Sequence, residues 1–157
     1  MQKSSQLQNL LRELFATQKF AALATYDRGT PHNCLVAFAA TDDLRYLLFA
    51  TSRDTSKYRN IVAESRVAIL IDSRSNQDSD VRNAVAVTAT GRAKEAKGKE
   101  RDRLLGIYLT KHPQLKDFAN VSDNALVKVD IENYEVATFH NVRIFKPHSL
   151  KPRKALD

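Results

Sequence analysis

Residues 51–60, TSRDTSKYRN, set hydroxyls and cations where an apolar run over residues 44–50 gives way to the start of a helix. A helix N-terminus exposes unpaired N–H groups and a partial positive charge, so carboxylates are favoured there and cations are not. Asp54 or Thr55 can cap this helix, which accounts for part of the segment. Lys57 and Arg59 are left over, adding positive charge at the positive end. An incoming phosphate resolves the conflict. Ser52 and Ser56 hydroxyls, helix N–H groups and the Lys57 ammonium would converge on one anion. The competing reading is an ordinary solvated loop.

Other chemistry-bearing residues point less sharply. His32, His112, His140 and His148 have no metal-ligand spacing among themselves or with Cys34, so no zinc site is expected. Cys34 sits mid-strand among apolar neighbours, as an inert core thiol does. His140, in ATFHNV, could approach a cofactor from a late strand, but reads first as a hydrogen-bonded structural histidine. There is no Gly-rich phosphate loop, nucleophile elbow or paired-carboxylate arrangement, which leaves redox chemistry to a cofactor.

The elements that must position residues 51–60 follow from periodicity. Leu7, Leu10, Leu11, Leu14 and Phe15 form one helical stripe within residues 1–17, with Ser4 or Ser5 as a cap. Residues 19–26, 31–40 and 44–51 read as an antiparallel meander, turned first at Asp27-Arg28-Gly29-Thr30. A short helix over about 54–63 precedes a strand at 66–72. A long strand is expected at 81–95, with Gly91 at a bulge. A helix at about 97–111 presents Leu104, Leu105, Tyr108 and Leu109, and strands at 125–133 and 134–147 complete the set. Leu35, Ala37 and Ala39 oppose Cys34, Val36 and Phe38, so both faces of that strand should be covered. Short turns and few helices predict a mainly β fold, a small closed or partly split barrel with flanking helices.

With 157 residues, 43% apolar and 27% charged, one soluble domain spanning 1–157 is expected, ending in a basic tail over 146–157. No apolar run reaches the length of a membrane span, no export signal is read at the N-terminus, and the single cysteine fits a cytoplasmic setting. The net charge of +7 is partly the tail's Lys146, Lys151, Arg153 and Lys154, and elsewhere is interspersed with acids. Without a zinc-finger, ribonucleoprotein or helix-turn-helix pattern, it points away from nucleic acid.

The order of elements, FAT followed by SRDTSKYRNI, then VAILID and a long strand ending TATGRA, resembles the pyridoxamine 5′-phosphate oxidase-like family over about residues 5 to 145. The resemblance implies a six-stranded antiparallel split barrel, a homodimer, and FMN at the subunit interface. It puts Ser56 and Lys57 on the FMN phosphate and lines the flavin with Ala50, Thr51 and Ser52. Leu35 would lie against the ring system, and Arg53 is a candidate second cation. In the loop after VAILID, Arg74 could pair with phosphate and Asn76 with ribityl hydroxyls or the ring edge. The family's C-terminal Arg-Leu-Xaa-Pro pattern is absent, so vitamin B6 oxidation is not expected. The resemblance implies an FMN-dependent oxidoreductase working with a small-molecule electron donor or acceptor. The alternatives are a non-catalytic flavin- or haem-binding protein and a nucleic-acid-binding barrel.

Overall fold

The computed structural model describes residues 2–149, so the tail's Lys151, Arg153 and Lys154 lie outside the described residues. Helix α1 (Gln2–Thr17) buries Leu7, Leu11, Leu14 and Phe15 against the barrel core. It begins before Ser4 and Ser5, so these lie inside the helix and do not cap it. Strands β1 (Phe20–Asp27) and β2 (Thr30–Ala40) are joined by Arg28 and Gly29, at φ 50° and 86°. Positive φ at both central residues matches the twist of a tight hairpin, and Gly29 adopts it without a Cβ clash.

Strand β3 (Tyr46–Ser52) starts later than its apolar run, because Leu44 occupies the preceding turn at φ 61° with its side chain in the core. Helix α2 (Ser56–Ala63) leads into β4 (Arg66–Asp72). Asp80–Asn83 then form a helical turn, α3, so the long strand β5 begins only at Ala86 and runs to Glu95. The register shifts between Thr90 and Gly91, and a Cβ on Gly91 would meet the Asp130 carbonyl oxygen at 2.1 Å. Gly91 is therefore required for close strand approach at this bulge.

Helix α4 (Gly98–Lys111), a 3₁₀ turn (Pro113–Leu115) and helix α5 (Lys116–Asn120) precede β6 (Asn124–Ala137). The late strands divide differently from expectation. Residues 124–137 form one continuous strand, and β7 (Val142–Phe145) is a short addition to its end.

The sheet order is β3-β2-β1-β4-β5-β6-β7, and a further β3–β6 pairing closes the first six strands into an antiparallel barrel. Val36, Phe38, Phe49, Leu23, Ile69 and Val127 belong to the inner core. On the outside, α4 covers Ala39, Leu48 and Leu126 with Leu104 and Tyr108. The outer face of β2 is thus covered at Ala39, while Leu35 on the same face is exposed. Lys111 fastens α4 to the end of α1: its ammonium donates to the Phe15 and Gln18 carbonyls at 2.6 and 2.7 Å and lies over the Phe38 ring. These are charge-assisted bonds to the carbonyl end of a helix, where a cation is favoured. No helix among the described residues is long and apolar enough to cross a membrane.

Candidate functional site

The barrel is split between β2 and β3. These strands pair only where Phe38–Ala40 meet Phe49–Leu47. Tyr108 and His112, one helical turn apart at the end of α4, occupy the start of the opening. The Tyr108 hydroxyl donates to the Ala37 carbonyl at 3.2 Å and accepts from the Ala50 main chain. The buried His112 ring meets the Phe38 carbonyl through Nε2 at 2.7 Å. Burial pushes the Tyr108 phenol up and the His112 imidazolium down, so both stay neutral near pH 7.

Beyond Tyr108 the two strands face each other without pairing. Leu35 is on the β2 side and is 69% exposed, while Ala50 and Ser52 are half-buried on the β3 side. Thr51 points inward instead. Its hydroxyl bonds the Ser52 carbonyl and the Thr55 hydroxyl, at 3.2 and 3.1 Å, leaving only its main chain for a ligand outside the barrel. At the next residues α2 begins with Thr55 as its N-cap, the side chain accepting from the Tyr58 N–H at 3.3 Å. The helix is seated on β1 by buried Asn60, whose amide donates to the Thr25 hydroxyl at 3.0 Å, and by Ile61.

The first turn of α2 carries no acidic residue. Arg59 is paired with Asp54 at 3.4 Å and reaches the Ser56 hydroxyl. Lys57 is half-buried and has no hydrogen-bond or ion-pair partner among the described residues. It lies close enough to Cys34 to act on its thiol: burial pushes that thiol up and the Lys57 ammonium pulls it partly back. Lys57 thus stands beside Cys34 of β2, with Ser56 next to it in the first turn of α2, while the Ser52 hydroxyl accepts from the Asp54 N–H at 3.2 Å. A partly desolvated ammonium at a helix N-terminus, without a counter-anion, is the arrangement an anionic ligand completes.

Arg53 is committed elsewhere. It pairs with Glu95 and donates to the Ser122 carbonyl at 2.8 Å, on the β5–β6 side of the loop. Glu95 also accepts from the Tyr58 hydroxyl at 2.7 Å. These donors hold the Glu95 carboxyl below its ordinary range.

Arg74 and Asn76 belong to a separate loop. Arg74 pairs with Asp72 at 3.0 Å, and Asn76 turns at φ 60° with its N–H on Asp80. Asp80 gathers this loop by accepting from Ser75 and Asn76, which lowers its pKa. Arg74 rims a groove of about 420 Å³ lined by Leu70, Val85, Ala137 and Phe139. Leu70 aligns through Ala22 with Leu35, so this groove adjoins the outer face carrying the split rather than the α2 N-terminus itself.

His140 falls in an exposed loop, not on a strand. No group of three or more potential metal ligands occurs among the described residues. Apart from one spacing, nothing in the sequence marks Tyr58, Glu95 or His112 as parts of this region, and Tyr108 stands there only as an apolar helix position. The spacing of Tyr108 and His112, four residues apart on α4, was the one visible signal.

A relative from Streptomyces rimosus, a 5a,11a-dehydrotetracycline/5a,11a-dehydrooxytetracycline reductase, is 35% identical over 88 residues, 54% of this chain and 61% of the reductase. The match thus spans less than two thirds of that relative. A haem-binding protein from Mycobacterium smegmatis superposes with a TM-score of 0.78 at 18% identity, covering 88% of this chain and 57% of that one. An FAD-binding protein from Mesorhizobium loti superposes at 0.61 and 16% identity, covering 78% and 88%. At such identities the superpositions speak for the fold. The family model for pyridoxamine 5′-phosphate oxidase matches residues 7–138, which include all six barrel strands and α2. By that match, the chain belongs to the pyridoxamine 5′-phosphate oxidase family.

Proposed function

We propose that this chain is an FMN-binding oxidoreductase that works as a homodimer with the cofactor at the subunit interface. The observation that carries the reading is Lys57, half-buried at the start of α2 without an anionic partner among the described residues. The residues present fit the ligand. Lys57 and Ser56 would hold the phosphate with the α2 N–H groups, and Ser52 with the main chain of Ala50 and Thr51 would line the flavin beside Leu35. Arg74, on the rim of the adjoining groove, and Asn76, in the same loop, would meet the ring edge or substrate. FMN, when bound, supplies two-electron redox chemistry to a site that otherwise offers only binding groups.

The outer face supports the dimer. Leu35, Ala22 and Leu70 align across β2, β1 and β4, with exposed Phe20 nearby, in a patch suited to a second copy. The Streptomyces relative supports the oxidoreductase class, but a match over 54% of this chain does not carry its substrate across.

A small organic acceptor reduced at the expense of a nicotinamide nucleotide is the expected reaction type. Under anaerobic conditions NADPH or NADH should bleach FMN bound to the protein. Failure with both nucleotides would remove the nicotinamide-driven reductase and leave a flavin-binding protein. The haem alternative, favoured by the Mycobacterium likeness, predicts a Soret band on adding hemin and no competition from FMN.

A further inference from the structure

Glu95 lies at the end of β5, far in sequence from the segment that bears Lys57, yet it grips that segment at two points. Its carboxylate pairs with Arg53, two residues before Thr55, and accepts from the Tyr58 hydroxyl at 2.7 Å, one residue after Lys57. The Glu95 side chain is 13% exposed against 40% for Arg53, so the pair is shielded on the carboxylate side. Arg53 extends the attachment, donating through Nη1 to the Ser122 carbonyl at 2.8 Å, while its own N–H donates to the Asp123 carbonyl at 3.1 Å. Between the two grips, Thr55 caps the helix, and Ser56 and Lys57 are the residues whose side chains Glu95 does not use.

We infer that Glu95 is a positioning residue: through Tyr58 and Arg53 it fixes the first turn of α2, so that Ser56 and Lys57 are presented to the phosphate of the flavin. Arg53 is then a strut and not a phosphate ligand, because its charge is already met by Glu95. The inference rests on the FMN reading above but assigns a role to residues which that reading does not use. Preorganisation of this kind acts on the phosphate alone, since it is the only ligand group that Ser56 and Lys57 would touch.

The test is titration of the purified protein with FMN and with riboflavin, which lacks the phosphate. Glu95→Gln should weaken FMN about tenfold and leave riboflavin nearly unchanged, and Tyr58→Phe should weaken FMN several-fold. The double variant should be no worse than Glu95→Gln plus a small increment, because both act through one contact. Equal loss of both ligands would reduce Glu95 to a general structural residue and overturn the inference. Tighter FMN binding by Glu95→Gln would also overturn it, since released Arg53 would then be taking the phosphate.

A second measurement needs no flavin. In the protein without ligand, the amides of Tyr58 and Arg59, bonded to Thr55, should exchange about tenfold faster in Glu95→Gln, with β4 and β5 unchanged. Unchanged exchange there contradicts the strut. Failure of the wild-type protein to bind either flavin, with the exchange effect present, would sink the FMN reading and keep the positioning role.

Discussion

Lys57→Ala is expected to weaken FMN binding by about 10- to 100-fold while leaving riboflavin affinity within about twofold. The magnitude is that of one charge-assisted hydrogen bond, about 1.5–3 kcal/mol, and each 1.4 kcal/mol is about tenfold in affinity. Folding should be little affected, because Lys57 makes no hydrogen bond or ion pair among the described residues that its loss would break. Flavin fluorescence titration of the two ligands separates the outcomes. Unchanged FMN affinity would remove the phosphate from Lys57, whereas parallel loss of both ligands would place the effect in the ring site.

Ala22→Glu is the second large effect. Ala22 lies on the outer face between Leu35 and Leu70 in a continuous cross-strand row. In a monomer the new carboxylate is turned toward solvent and costs little. In a two-fold dimer the same change occurs twice in one buried patch, and an unpaired buried charge costs several kcal/mol. Sedimentation should therefore find the dimer dissociation constant raised by more than about a hundredfold. FMN affinity should fall with it at protein concentrations where the variant is monomeric. A monomeric variant that retained full FMN affinity would refute a site shared between subunits.

Much of the fold was legible because its signals are local. The α1 stripe is strictly periodic, and the hairpin at Arg28-Gly29 needs positive φ, which Gly29 announces. The errors lie where a local signal misleads. Asn133 interrupts the apolar pattern of β6 and reads as a strand end, yet its amide bonds the Thr90 hydroxyl at 2.9 Å and the strand continues through it. Val81 reads as the start of β5, but it belongs to a single helical turn begun at Asp80.

The candidate site divides in the same way. Thr55, Ser56 and Lys57 could be read together because they are contiguous and the helix dipole gives their charge a meaning. Arg53 could not be assigned from the same segment, since the carboxylate that engages it is forty-two positions along the chain. Tyr108 and His112 reach the edge of β2 at the split only because the fold carries the end of α4 there, and nothing near them in sequence announces the split.

The most direct test is the absorption spectrum of the purified protein titrated with FMN, read with the dissociation constant and the stoichiometry. The account predicts a flavin spectrum perturbed on binding, one FMN per chain, and affinity well above that for riboflavin. No perturbation by FMN, or a Soret band retained against excess FMN, would contradict it.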